Sequence, residues 1–269
     1  MKASVIITSY NHADAVGRAI ESVLSQKTIH NFEIIVLDDG STDNSVEIIR
    51  KYKAFNDKIK MFWCRDNRGI MRTYKIAFAL CRGEYLFWCE CDDFWTTNDK
   101  LQKQIDYMDA NPDCGISTHR TKIQKNGKII DSSLPSESVN GVISFDRLLR
   151  GNAYLFAQSY CIRRSTFDKH IDFSFFVRYF FVWDYPIVLE LINHTRFHQL
   201  DFYGAMFIIE GESITNTKKR IKRLKLILGY AKIRAYFIFK YGCRLSTIGY
   251  LAYRFARDIM SIIMRKWYK

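Results

Sequence analysis

Two hydrophobic periods alternate along the first 110 residues, and that alternation leaves few folds open. Ala3–Thr8, Phe32–Leu37, Ile59–Cys64 and Tyr85–Cys89 are short apolar runs rich in β-branched and aromatic residues, which read as strands. Helical patterns separate them. Val16, Ile20, Val23 and Leu24 share one helix face. Asn44 with Glu47 has the form of a capping pair, opening a helix through Val46, Ile49 and Tyr52. A third helix is predicted over Ile70–Leu80, and a fourth through Leu101, Ile105 and Met108, stopping before Asn111-Pro112. Strands alternating with helices predict an α/β fold with a mainly parallel central sheet and helices on both faces.

Ligands of such sheets bind beyond the carboxyl ends of the strands. Three polar clusters fall there: Thr8-Ser9-Tyr10-Asn11, Asp38-Asp39 and Glu90-Cys91-Asp92-Asp93. Carboxylates crowded at a strand end repel each other and resist desolvation, so a cation normally offsets them. A hard divalent metal with a bound phosphate fits that need; an acidic turn capping the next helix is the plainer alternative. No G-x-G-x-x-G follows the first strand and no P-loop is present, which disfavours a dinucleotide fold.

At 48% hydrophobic and 15% aromatic, the 269 residues are enough for one sizeable α/β domain with an appendage. Seven cysteines without framework spacing predict buried, reduced thiols; Cys89 and Cys91 lack the second pair that a zinc site needs. No secretory leader is read ahead of Ala3, and no run of 18 apolar residues occurs. Charge is uneven. Of 41 Lys/Arg and 28 Asp/Glu, residues 218–269 hold 15 bases and one acid, Asp258, so the excess belongs to the tail.

Cys114–Thr217 is less regular. Ile116–Ile123 and Lys128–Ile130 read as strands about an Asn126-Gly127 hairpin turn. The aromatic stretch Phe175–Val182 leads into Trp183-Asp184-Tyr185-Pro186 and a short helix over Ile187–Ile192.

The string Ser4-Val5-Ile6-Ile7-Thr8-Ser9-Tyr10-Asn11 resembles the opening strand of family 2 glycosyltransferases. Glu33–Asp43, Asn67-Arg68-Gly69-Ile70 and Gly83-Glu84-Tyr85-Leu86 before the acidic cluster match in the same order. The resemblance covers about Ala3–Thr217. It implies a GT-A fold, a nucleotide-sugar donor and inversion at the anomeric carbon. Residues 1–112 would then be the nucleotide-sugar-binding half, 113–217 the acceptor-binding half, and 218–269 a basic helical tail.

By that resemblance, Thr8 and Tyr10 contact the nucleoside, with Tyr10 stacking on the base, and Asp39 accepts from uracil N3–H. Asp38 caps the following helix. Asn67, Arg68 and Arg72 line the donor pocket; the alternative for Arg68 and Arg72 is that they are solvated helix charges. Glu90 stands where the family usually has the first Asp of Asp-x-Asp. Asp92 and Asp93 are expected to hold Mn²⁺ or Mg²⁺ and the ribose. Asp184 is the expected base, the alternative being an ordinary helix-capping aspartate. Glu210–Thr215 resembles a late loop that closes over the diphosphate. His194 and His198 are expected to be structural or at the surface.

The expected activity is transfer from a UDP-sugar to a hydroxyl of a glycan or lipid-linked saccharide, in the cytoplasm. A nucleotidyltransferase would want a Gly-rich basic loop after the first strand, which Ser9-Tyr10-Asn11-His12 lacks. A nucleic-acid-binding protein would leave the acidic cluster unexplained, so no nucleic acid is expected as a partner. In the tail, Lys218, Lys219, Arg220, Lys222, Arg223 and Lys225 precede the apolar Leu226–Phe239. Further on, Ile248, Leu251, Phe255, Ile259 and Ile262 recur at helical spacing before Trp267 and Tyr268. A basic amphipathic pattern of this kind predicts peripheral attachment to the anionic inner face of the cell membrane; the alternative is packing on the catalytic domain.

Overall fold

The computed structural model describes residues 1–131, 143–151, 156–209 and 219–264. Four parallel strands carry the first half: β1 Ala3–Ser9, β2 Phe32–Asp38, β3 Ile59–Trp63 and β4 Tyr85–Trp88, in the spatial order β3-β2-β1-β4. Helices α1 Val16–Leu24, α2 Ser45–Phe55 and α3 Ile70–Leu80 connect them, and α4 Lys100–Ala110 follows. β1 and β2 are buried along their whole length, as the unbroken apolar runs require. Alternate residues feed opposite cores. Tyr85 and Phe87 join Val5, Ile7 and the helices α1, α2 and α4, while Leu86 and Trp88 join Ile6 and α3. The sheet is therefore covered on both faces.

The capping expectation at Asn44 is corrected. Asn44 makes no side-chain cap; the carboxylate of Asp43 accepts from Ser45 N at 3.0 Å and from Ala13 N at 3.0 Å. Asp43 therefore both starts α2 and fastens the loop after β1.

Beyond β4 the sheet turns mixed. β8 Cys161–Arg163 lies between β4 and β6 Cys114–Lys125, antiparallel to both. β9 Arg196–Ile209 runs parallel to β6 with three register shifts, and β5 Phe94–Trp95 closes against β9. β7 Lys128–Asp131 forms the expected hairpin with β6; Asn126 and Gly127 both have positive φ, at 50° and 73°. The sequence reading did not anticipate β5, β8 or β9. Five helices complete the second core: α5 Phe145–Arg150, α6 Arg164–His170, α7 Phe173–Tyr179, α8 Asp184–Leu191 and α9 Arg220–Tyr241. Helix α10, Leu245–Met264, follows α9. The seven cysteines are unpaired and six are buried, as expected for reduced thiols.

The tail is docked on the body, which is the alternative the sequence left open. Ile233 and Phe237 of α9 are buried in the same core as Trp88 and Trp183. Lys240 Nζ reaches both oxygens of Glu190 in α8 at 2.8 Å, joined by Tyr241 Oη at 2.5 Å. His194 also meets Glu190, at 3.1 Å, in the structural role expected of it. At the start of α10, Asp146 of α5 accepts from Thr247 Oγ1 at 2.7 Å and from Arg244 N at 3.1 Å. Among the described residues no helix is long and apolar enough to cross a membrane. Glu210–Thr215, the boundary at Thr217, Trp267 and Tyr268 lie outside the described residues.

Candidate functional site

Register brings the strand ends together. β1 pairs with β2 so that Ser9 faces Asp38, and with β4 so that Ile6 faces Trp88. Two further main-chain bonds continue the ladders, Asp39 N to Ser9 O at 2.8 Å and Cys89 N to Ile6 O at 3.0 Å. Thr8, Asp39 and Glu90 thus emerge on one edge.

The Asp38–Asp43 segment is mainly a scaffold. Asp38 accepts from Ser41 N at 2.8 Å and Ser41 Oγ at 2.6 Å, closing its own turn rather than capping a helix. Asn11, in the left-handed region with φ 56°, accepts from Thr42 N at 2.8 Å. Asp39 is buried, and its two oxygens accept from Arg68 N and Gly69 N, each at 2.9 Å. Gly40 has φ 79°, and a Cβ there would lie 2.7 Å from the main chain of Asp66. The turn after β2 is thereby pressed against the loop that carries Asn67 and Arg68. Asn67 Oδ1 accepts from Gly69 N, and Gly69 opens α3. The Asn67, Arg68 and Arg72 side chains are exposed at this helix start, and neither arginine forms an ion pair among the described residues. Tyr10, just past the end of β1, is 43% exposed.

The three acidic residues separate. Glu90 is partly buried and gripped by Tyr74 Oη at 2.5 Å and Thr8 Oγ1 at 3.2 Å. Desolvation lifts its carboxyl to about 7; the Tyr74 and Thr8 bonds oppose the rise, and the charges of Asp92 and Asp184 add to it. Asp92 is partly open, and Arg18 fixes its carbonyl with a 3.0 Å bond while lying over Phe94. Asp93 has a different place from the one expected. It is fully buried, and its Oδ1 accepts from Ile208 N of β9 at 2.7 Å. Burial, with Asp92 nearby, pushes its carboxyl well above the usual range. Asp92 and Asp93 both precede β5 in a turn closed by Asp93 N donating to Glu90 O at 3.0 Å; Asp92 stays partly open there while Asp93 is buried. No group of three or more His, Cys, Asp or Glu is arranged to hold a metal by itself among the described residues. The protein would contribute Asp92 beside ligand oxygens, a donor set that suits a hard divalent ion.

Asp184 reaches this site from the second half. Trp183 is buried, with its ring 4.2 Å from Tyr74 and stacked at 5.2 Å on Trp88. Tyr74 holds Glu90, so one aromatic step links Asp184 to the acidic turn. Asp184 is the first residue of α8. Burial raises its pKa, opposed by hydrogen bonds from the N–H groups of Tyr185 and of Asp184 itself. Sequence reasoning missed Tyr74, Arg18 and the use of Trp183 as a spacer. Tyr74 sits four residues after Ile70 on the buried side of α3, a position that periodicity marks only as core.

A family profile described as "Glycosyl transferase family 2" matches residues 4–178. The chain belongs to family 2 of the glycosyltransferases. Among the curated relatives of this family 2 chain, an uncharacterized glycosyltransferase of Nostoc sp. is 36% identical over 177 residues, covering 63% of this chain and 53% of the relative. A putative teichuronic acid biosynthesis glycosyltransferase, TuaG of Bacillus subtilis, is 34% identical over 105 residues, covering 39% and 41%. The chain spans about half the length of the curated relatives it matches. The structure of S. aureus TarS with UDP superposes with a TM-score of 0.68 at 17% identity, over 94% of this chain and 70% of that one. The mannosyltransferase PcManGT of Pyrobaculum calidifontis, solved with GDP-Man and Mn²⁺, gives 0.63 at 12%, over 97% and 74%. These likenesses establish the shared GT-A fold.

Proposed function

We propose that this family 2 chain moves a sugar from a UDP-sugar to a hydroxyl of a saccharide acceptor, with inversion. The observation that carries the reading is the Tyr74–Trp183 contact, which sets a partly enclosed carboxylate, Asp184, across from the Glu90–Asp92 turn. TarS, of the same fold, has been solved with UDP and with UDP-GlcNAc, which supports a uridine donor. Thr8 and Tyr10 border the nucleoside, Tyr10 by ring stacking. Asp39 uses its remaining lone pairs for uracil N3–H. Asn67, Arg68 and Arg72 face the diphosphate. Glu90 orients the ribose side through its Tyr74 and Thr8 clamp.

Asp92 would hold Mn²⁺ or Mg²⁺ against the diphosphate, where the ion neutralises charge developing on the departing UDP. Asp184 takes the proton of the acceptor hydroxyl. The oxygen then bonds to the anomeric carbon from the face opposite UDP, and the carbon–oxygen bond to the diphosphate breaks. Such base assistance contributes roughly 10²–10⁴ in rate.

The acceptor is a glycan, and the tail favours one carried on lipid in the cytoplasm at the inner face of the cell membrane. Ile221, Leu224 and Leu228 of α9 and Phe255, Met260 and Ile263 of α10 are exposed among bases, a pattern suited to an anionic membrane surface. A UDP-release assay across UDP-sugars with Mn²⁺ and a glycolipid extract tests the reading. Release that needs both Mn²⁺ and extract supports it; no release from any UDP-sugar overturns it.

A further inference from the structure

A trough of about 330 Å³ runs between α9 and α10, the lower end of the size range of small-ligand sites. Its walls are aliphatic and aromatic, with Leu226, Ile227, Ala231, Ala235, Leu251 and Phe255 among them. Two cations, Arg234 and Arg254, and one acid, Asp258, break that lining. The two cations converge: a Cβ on Gly151 would lie 2.5 Å from Arg254 Nη1 and 3.3 Å from Arg234 Nη2. Like charges brought to one point beside apolar walls call for an anion.

One local acid, Asp258, also lines the trough and pairs with Arg254, so that need is met only in part. Asp258 is 3.8 Å from Arg254 Nε, beyond hydrogen-bond range, and that nitrogen is buried without a hydrogen-bond partner among the described residues. Arg254 Nη1 donates to Arg150 O. Arg234 has no carboxylate partner among the described residues; its Nε donates to Tyr185 Oη at 3.3 Å and its guanidinium lies over Tyr185 and Tyr230. Tyr185 in turn donates to Leu148 O at 3.0 Å, so the cationic end of the trough is fixed to α5.

That end adjoins the site. Tyr185 follows Asp184 in the chain, and Tyr230, which lines the trough, has its hydroxyl pKa raised by burial and by the Asp184 charge. We infer that the trough binds a phosphorylated lipid, the hydrocarbon chain between α9 and α10 and the phosphate against Arg234 and Arg254. A saccharide carried on that phosphate is then presented toward Asp184. Only this last direction rests on the proposed role of Asp184; binding of the lipid does not.

The test is calorimetry on the full chain with three probes: farnesyl diphosphate, farnesol and inorganic diphosphate. Farnesyl diphosphate should bind at least about tenfold more tightly than either fragment. Arg234→Gln and Arg254→Gln should each weaken it about fivefold or more, and Ala231→Trp, which fills the trough, should abolish it, with melting curves showing each variant folded. Lys232→Gln, an exposed cation on the same helix, should change nothing. Equal affinity for inorganic diphosphate would leave only an anion site, and equal affinity for farnesol only an apolar groove. Either result overturns the inference, as does a loss in Lys232→Gln matching that in Arg234→Gln. UDP titrations run alongside keep the two readings apart: a chain that binds farnesyl diphosphate but not UDP fails the donor proposal alone.

Discussion

In residues 3–110 the site groups are fixed by the main chain. In the second half the proposed base, Asp184, is held by ring faces. Thr8, Asp39 and Glu90 lie at the ends of hydrogen-bonded parallel strands, where register decides position. Asp184 hangs on Trp183, whose ring contacts Tyr74 and Trp88 in the core on one face of the sheet. The first arrangement tolerates side-chain change and depends on backbone geometry. The second depends on the volume of a few aromatic residues. The same comparison holds for the anchors: Asp43 stitches neighbouring loops, whereas Glu190 joins α8 to a helix about 50 residues later.

The comparison makes its strongest claim about activity. Asp92→Ala should lower the rate by about 10³ and weaken UDP binding in Mn²⁺, because it removes donor-side stabilisation of the leaving group. Asp184→Asn should lower the rate by roughly 10²–10⁴ while UDP affinity stays unchanged. Calorimetry and UDP release on both variants decide this. If Asp184→Asn weakens UDP binding as much as Asp92→Ala does, the two halves do not divide the work as described.

Packing gives the next largest effect. Trp183→Ala should destabilise the fold by about 3–5 kcal/mol, as expected for a buried Trp, with a matching fall in the urea midpoint. The loss should be felt in both halves, since Trp183 rests on β4. Retained hydrogen-exchange protection across β4 would sink the idea of a shared aromatic core.

Asp93 offers a smaller, sharper test. Asp93→Ala leaves Ile208 N–H unpaired and should cost about 1–3 kcal/mol. Asp93→Asn keeps an acceptor and should retain Mn²⁺-stimulated activity. Loss of that stimulation in Asp93→Asn, with the fold intact, would return Asp93 to the metal.

Lys100 supplies the smallest effect. It is fully buried, bonded to Gln104 at 2.7 Å, and burial holds its pKa down at about 7. Ring faces of Phe87 and Trp95, at 4.7 and 4.1 Å, offset part of that burden. Above about pH 7 the unfolded chain keeps a proton that the folded lysine has lost, so stability contributed here rises with pH up to the ordinary lysine range. Lys100→Met should flatten that rise and add on the order of 1 kcal/mol near pH 6. An unchanged slope in the difference between the two proteins would show that Lys100 stays charged.

The alternation of β1–α1–β2–α2–β3–α3–β4–α4 was legible because each element announces itself within its own window. β5 has two residues and β8 three, too few for any period, and both are strands only because a distant partner accepts them. β9 is long, but its burial alternates only toward its two ends, and three register shifts in its pairing with β6 interrupt it further. In the site, Glu90 and Asp92 could be placed at a strand end from sequence. The inward turn of Asp93 could not, because it is set by Ile208, more than a hundred residues on. The role of Tyr74 was hidden for a related reason: a buried tyrosine on a helix looks like core until its hydroxyl finds a carboxylate.

Phe237 in the core beneath Trp88 and Trp183 has a consequence for synthesis. Chains leave the ribosome from the N-terminus, and the β3-β2-β1-β4 unit can pair as soon as residue 88 is free. The other edge of β4 then waits for β8, and the aromatic floor under Asp184 stays open until α9 arrives some 140 residues later. During that interval the nascent protein holds an assembled donor half next to uncovered rings, the kind of surface that chaperones bind.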